Sequence, residues 1–503
     1  MLNIIQPHAG EFASAVQQSY RDALRLRERA KMDEYIRARE YYDGIHPTQL
    51  TDRMAAFLKW ESTDFSVNYC PMVVDSLTNR LKVTGYDAEG NDEISTLLWR
   101  WWRKNELDRK QNIVHHGAVN DGDSFVLVEW DKDANIPRFH HEAAYAGDGV
   151  MVYYSEERRD EIEFASKSWR IEHGTDAGKM RRLNLYFANR IEKYVSHDSV
   201  AVGAYMPYED VNDDTQVIVP GYLGTAAVNW WTDDGTETGN PLGVPIIHFK
   251  YNDTGEQFGN SRLSSVFPVQ DALNKSMIDL LATMDVEAFG LLVGTGSTAW
   301  GGVKLGPGAI AAVSNTDADL KRLEGTSPTG LLSVYNAMVM EIARVSGTPL
   351  SYIQASGQVA AEGTIKQQEV ALVTQIEKTQ TDFGNSWEHC MMIAMRLNNA
   401  FNTDENSEID TDVIIDTIWT DAESRNDREQ TETLAIQVEK LGVSKEQAQI
   451  ELNYDTQQRS SFIRSTLRES AIAVRSQSLA NQVTPDSDSE NLTQTENEAV
   501  DSG

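Results

Sequence analysis

Cysteine is scarce in this chain of 503 residues: it has two, Cys70 and Cys390, far apart in sequence. A disulfide framework is thereby excluded, and the composition fits a reducing compartment. Long apolar runs are missing too. Even Leu280 to Val293 is broken by Asp285 and Glu287, so no uncharged stretch approaches the roughly eighteen residues of a membrane span. The N-terminus carries Glu11 and no apolar segment of secretory type, which predicts a soluble protein retained inside the cell.

Positive charge is the third scarcity. Lys and Arg number 45 against 77 Asp and Glu, a formal net charge of -32. Gripping nucleic acid over a general surface requires a cationic footprint, which this chain lacks. Any DNA partner is therefore one that the protein avoids holding tightly.

Catalytic signatures are missing as well. The only approach to a phosphate loop, Gly301-Gly302-Val303-Lys304, lacks both the spacing and the hydroxyl. There is no His-Glu-x-x-His zinc motif and no Gly-x-Ser-x-Gly elbow. His115-His116 and His140-His141 are adjacent pairs, which point about 100° apart on a helix and to opposite faces on a strand; packing or surface roles are expected for both. Asp121 and Asp123, with Glu129 nearby, have the composition of a cation site or an acid/base pair. The string Asn120-Asp121-Gly122-Asp123, however, is itself a turn signal.

What the sequence does have is long helical periodicity. Val266, Val269, Leu273, Met277, Leu280 and Met284 form an apolar stripe over about 265–289. A second helix is framed by Ser327 as N-cap, Pro328 at the first position and Gly347 with Pro349 at the end, with Leu332, Tyr335, Met338, Ile342 and Val345 on one side. Between them, residues 290–326 are glycine-rich with short apolar runs at Val303 to Leu305 and Ile310 to Val313, a turn-and-strand module. The arrangement predicts a two-helix stalk that returns antiparallel, with a small tip.

Upstream, residues 11–43 read as a polar helix whose mixed charges, such as Arg37 and Arg39 beside Asp33, Glu34 and Glu40, predict a solvated, ion-paired face. It runs into the turn Tyr41-Tyr42-Asp43-Gly44. Helices follow around Val74 and Leu77, around Leu97 to Trp102 and over Leu107 to Val119, with a strand at Leu81 to Tyr86. Ser124 to Trp130 alternates, with Phe125, Leu127 and Glu129 facing one way and Val126, Val128 and Trp130 the other. Further strands are expected at Val150 to Tyr154, Ile162 to Trp169, Leu183 to Phe187, Gln216 to Val219, Ala226 to Trp231 and Val244 to Phe249, making an α+β domain up to about 255.

Downstream, residues 348–363 read as a flexible connector. A capping box at Thr364-Ile365-Lys366-Gln367 opens a helix to about Phe401, with Gly384 as the place for it to bend. A strand at Asp412 to Trp419 follows. Gly442 ends one helix, Ser444-Lys445-Glu446-Gln447 caps another, and Asp455 precedes the last, to about Val474. From Asn481 the chain is acidic, without basic residues, and is expected to be disordered.

Taken together, Tyr41-Tyr42-Asp43-Gly44, the strand leaving the Asn-Asp-Gly turn, Gly259-Asn260-Ser261-Arg262-Leu263, the connector at Gly347-Thr348-Pro349-Leu350 and the long helix after Gly363 resemble the portal proteins of tailed bacteriophages, siphophage type. The resemblance covers nearly the whole chain by order of elements. It implies an α+β, mainly helical portal fold divided into a wing (1–260), first stem helix (261–289), clip (290–326), second stem helix (327–347), tunnel loop (348–363), long wing helix and strand (364–420), crown (421–480) and acidic disordered tail (481–503). It also implies a non-enzymatic homo-oligomeric ring, generally of twelve subunits, at the portal vertex of the virion capsid, assembled in the host cytoplasm. Double-stranded DNA would be packaged and ejected through that ring. The implied partners are the terminase large subunit, the major capsid protein and a head-tail adaptor, with no membrane, cofactor or metal. By position, the resemblance assigns Ser351, Tyr352, Gln354, Ser356, Gln358 and Lys366 to the DNA channel and Trp300, Lys304, Lys321 and Arg322 to the clip docking surface. Two alternatives stand beside it: a metal-dependent hydrolase centred on Asp121, Asp123 and His115 or His116, and a scaffolding or adaptor protein of another kind.

Overall fold

The computed structural model describes residues 31–47, 66–155, 157–158, 161–171, 180–188, 191–197, 206–207, 227–228, 242–289, 291–296, 317, 319–323, 328–353, 362–404, 408–423 and 427–440, with helical residues 458–468 and isolated positions beyond 440. It divides into two compact units, residues 1–425 and 426–503.

In the first unit, α1 (Met32–Tyr42) buries Tyr35, Ala38 and Tyr41. The other side carries the exposed charges Asp33, Glu34 and Arg37, and the expected part of this helix over 11–30 lies outside the described residues. The helix α2 (Cys70–Thr78) has Pro71 in its first turn, where the missing N–H costs nothing. Strand β1 (Val83–Ala88) leads to α3 (Asp92–Lys104), whose N-cap Asn91 accepts the N–H of Ile94. Then α4 (Leu107–Asp121) runs directly into β2 (Asp123–Asp131) through Gly122, at φ +102°. Asn120 to Asp123 is therefore the turn that feeds the strand, as a buried helix-to-strand corner.

Strand β3 (Ile136–Ala143) pairs antiparallel with β2, placing Pro137 opposite Trp130 and His141 opposite Val126. It was not expected from the sequence. The strands β4 (Gly149–Tyr154), β5 (Ile162–Arg170), β6 (Met180–Phe187), β7 (Ile191–His197) and β8 (Met206–Pro207) lie in that order in a second sheet, and β9 (Ala227–Val228) pairs with β7. The expected strand at Ala226 to Trp231 is thus described only at β9, and Gln216 to Val219 lies outside the described residues. Strand β10 (Ile246–Lys250) joins the other side of β2, giving the order β10-β2-β3. The alternation along β2 holds: Val126 and Val128 enter the main core, while Phe125 and Leu127 enter a separate cluster with Val150, Val152 and Ala165 of the second sheet.

Helix α5 (Phe267–Phe289) is followed by β11 (Leu291–Thr295), β12 (Asp319–Leu323) and α6 (Pro328–Ser346). The two strands pair antiparallel and the two helices pack along each other. The apolar runs at 303–305 and 310–313, and Ser327, lie outside the described residues. On α5 the inner side is Leu273, Ile278 and Leu280, with Met284 51% exposed; on α6 it is Val339, Ile342 and Ala343. Leu332 and Val345, expected on the buried side of α6, are exposed.

A short turn of helix, α7 (Leu350–Ile353), precedes α8 (Glu362–Phe401) of 40 residues, about 60 Å at 1.5 Å per residue. Because α8 begins at Glu362, Thr364 sits inside a helix and is not an N-cap. The helix runs uninterrupted through Gly384, and a Cβ there would come within 3.3 Å of the Trp419 indole nitrogen. That glycine admits a neighbour, β13 (Ile415–Trp419), which pairs with β1.

The main core forms where α8 crosses the three-stranded sheet and the helices α2, α3 and α4. Phe383, Trp387, Cys390, Met391, Ala394 and Leu397, spaced at three and four residues, are completely buried along α8. Trp387 meets Trp102 and Phe249 edge-on, each at 4.9 Å between ring centroids. Such contacts add about 0.5–1.5 kcal/mol each beyond simple burial.

In the second unit, α9 (Asp427–Lys440) buries Leu434, and Gly442, at φ +71°, follows it as expected for a stop. The acidic tail, 481–503, lies outside the described residues.

Candidate functional site

The root of the stalk is built on Arg262, just before α5. Its side chain is 6% exposed and donates to four groups: Nε to the Val73 carbonyl at 2.9 Å, Nη1 to Tyr251 Oη at 3.1 Å and Gln375 Oε1 at 2.5 Å, and Nη2 to the Ser346 carbonyl at 3.1 Å. One guanidinium thereby joins the start of the first stalk helix, the end of the second, the long helix α8 and α2. A lysine could not do this, because the planar fork supplies donors in several fixed directions.

Further bonds clasp the first turns of α5. Tyr41 donates to Asp271 Oδ1 at 2.7 Å, and the N–H of Val67 donates to Asn274 Oδ1 at 3.0 Å. Gln270 donates to the Val67 carbonyl and accepts the Tyr69 N–H. On α6, Tyr335 shares a 3.2 Å hydroxyl contact with Tyr69. The helix ends at Gly347, at φ +66°, a conformation that L side chains rarely adopt.

Beyond Gly347 lies the connector. Ser351 and Tyr352 are on α7 and both exposed, at 38% for Tyr352. Tyr352 is not a free side chain: its hydroxyl donates to Glu369 Oε1 at 3.1 Å and also meets Arg80, whose guanidinium pairs with Glu369 at 3.1 Å. Arg80 also donates to the Ala422 carbonyl at 3.1 Å. Burial pushes the Tyr352 phenol above its ordinary range. Gln354, Ser356 and Gln358 lie outside the described residues; Lys366 lies on α8, one turn past its start. At the tip, Lys321 on β12 is exposed and pairs with Asp319 at 3.4 Å, and Arg322 lies opposite Leu292 in the strand register. Trp300 and Lys304 lie outside the described residues.

Arg80 and Glu369 were not singled out from the sequence, and neither carries a local signal. Arg262 stood in the Gly-Asn-Ser-Arg-Leu string, but three of its four partners, Val73, Ser346 and Gln375, are remote in sequence.

The residues of the hydrolase alternative are each committed elsewhere. Asp121 receives Arg39 Nε at 2.9 Å and Nη2 at 2.6 Å, while burial raises its carboxyl against that pairing. Asp123 accepts Tyr35 Oη, His248 Nε2 and the Gly259 N–H, all at 2.7 Å. Burial works to raise the Asp123 carboxyl, yet these hydrogen bonds outweigh it and hold it below the ordinary range. His115 contacts the Leu81 carbonyl through Nδ1 at 3.1 Å and accepts Trp387 Nε1–H at Nε2, 2.9 Å; burial lowers its pKa to about 3. His116 packs edge-on against Tyr42. Asp121, Asp123 and His115 each keep their own buried hydrogen-bond partners, and among the described residues no three His, Cys, Asp or Glu side chains gather where they could hold a metal ion.

The description that fits the whole arrangement is found by comparison. The family model "Phage portal protein, SPP1 Gp6-like" matches residues 24–455. The chain belongs to this portal family. Portal proteins of Mycobacterium phages D29 and L5 are each 20% identical to it, over 382 and 387 residues, or 71% of this chain and 69% and 68% of theirs. A chain from the neck of an empty gene transfer agent particle covers 81% of this chain and 95% of its own length, at 13% identity and a TM-score of 0.40. As a portal protein, the chain is a structural component of a phage capsid and works as a ring of identical copies.

Proposed function

We propose that about twelve copies of this chain form a closed ring at one capsid vertex, and that double-stranded DNA enters and leaves through its axis. In this reading α5 and α6 are the stem, residues 290–326 the clip, 348–363 the tunnel loop, and residues 1–260 with 364–420 the wing. The crown is 421–480 and the acidic tail 481–503. The protein is not the motor; the terminase large subunit docks first and a head-tail adaptor later, on a clip surface that includes Trp300, Lys304, Lys321 and Arg322. The major capsid protein surrounds the wing. Ser351, Tyr352, Gln354, Ser356, Gln358 and Lys366 approach the DNA.

The observation that carries this reading is the paired stem, clasped at its root by Arg262 and ending in the β11 and β12 pair. Its exposed apolar side chains support it: Met284, Leu332, Val334 and Met340 are 44–51% exposed in the single chain. Head-to-tail packing around an axis covers such surfaces with a neighbour and closes without leaving a free face. Charge points the same way. A duplex carries about one negative charge per 1.7 Å, so a protein of net charge -32 lets it slide.

Replacing Gln354 to Ala361 by a Gly/Ser stretch of equal length tests the channel assignment. Rings are expected to form and DNA packaging to fall; rings that package normally would remove the assignment.

A further inference from the structure

Beside Arg262 lies a cavity of about 320 Å³ between the segment that enters α5, the end of α6 and the outer side of α8. Its walls include Arg262, Ser264, Ser265, Lys378 and Asp382. Arg262 carries a full positive charge, yet its four acceptors are all neutral: two carbonyls, a phenol and an amide. Among the described residues no carboxylate pairs with it. A buried charge without a counter-charge is costly, several kcal/mol after relaxation. Lys378 is exposed at the wall, and Asp382, four residues on, is partly buried, with burial raising its carboxyl. Two cations against one carboxylate leave the cavity positive, inside a chain whose acids outnumber its bases by 77 to 45.

We propose that this cavity is a socket for an Asp or Glu carboxylate of the neighbouring copy, a contact that helps to close the ring. The proposal rests on the ring reading above. The incoming carboxylate meets Lys378 at the wall and the Arg262 guanidinium within, while the exposed Ser264 and Ser265 supply hydroxyl donors. A head-to-tail interface suits this, because it sets a different surface of the next copy against the socket. The neighbour's acidic excess makes a carboxylate the group most available to fill it. Charge-assisted bonds to a carboxylate are about twice as strong as neutral ones, so one such group offsets the uncompensated guanidinium.

Zero-length carbodiimide cross-linking of full-length rings, mixed from isotope-labelled and unlabelled copies, tests the occupant, because it joins Lys378 only to a carboxylate in contact with it. An isopeptide bond from Lys378 to an Asp or Glu of the other isotope is the expected product. Lys378→Glu should raise the protein concentration at half-assembly by about tenfold, equivalent to about 1.4 kcal/mol, and Lys378→Arg should restore it. Rings in which Lys378 cross-links only within its own chain, or not at all, overturn the proposal. So does stabilisation by inorganic phosphate in rings that lack the intermolecular cross-link, which would assign the socket to a free anion. Absence of rings would overturn the ring reading itself, a result distinct from rings without the bond.

Discussion

At the scale of the residue, the fold depends on close approaches that only particular side chains permit. A Cβ on Gly259 would lie 2.2 Å from the Gly122 carbonyl oxygen, and one on Gly122 would lie 2.9 Å from the Ser261 nitrogen. Both neighbours are backbone, so neither can give way. Gly259→Ala should therefore cost roughly 1–3 kcal/mol, read as a lowered denaturation midpoint. Buried histidines set a pH dependence. Burial lowers the pKa of His115 to about 3 and that of His141 to about 4, against an ordinary value of about 6.5. Since the unfolded chain takes up these protons first as pH falls, stability should drop from about pH 6.5 downward until the folded groups titrate. The His141→Gln variant, whose amide can still contact Ser124, should show a shallower loss of melting temperature between pH 6.5 and 4; an unchanged slope would contradict this origin.

Among the elements, the long helix α8 and the connector before it divide stability from function. Trp387→Ala on α8 removes a fully buried indole and its bond to His115, and should cost about 3–5 kcal/mol. Arg80→Ala leaves the main core untouched but removes the cation that pairs with Glu369 and meets Tyr352, so cleavage by protease in the connector after α7 should accelerate with little change in melting. Strong periodicity made α3, α4, α5, α6 and α8 legible in the sequence, as it did the alternation of β2. The misses have physical causes. Strand β3 contains Pro137 and a mostly polar stretch, Arg138 to Glu142, broken only by the buried Phe139; this is tolerable because, among the described residues, β3 pairs with β2 alone and forms the sheet edge. Thr364 matched a capping pattern, but a cap needs a non-helical backbone and α8 is already helical there. Helices α5 and α6 were visible; the clasp on α5 was not, since Arg262, Gln270, Asn274 and Asp271 act through residues about 80 to 230 positions away.

For the whole molecule, the family places this chain in a ring, and the acidic balance, the exposed apolar residues of α5 and α6 and the paired strands β11 and β12 take their meaning from that assembly. The most direct test is electron cryomicroscopy of the purified full-length protein over a range of concentrations. The account predicts closed rings of about twelve subunits, with α5 and α6 lining up side by side around an opening wide enough for a duplex. Monomers or twofold dimers at every concentration, or a ring whose centre is filled, would contradict it.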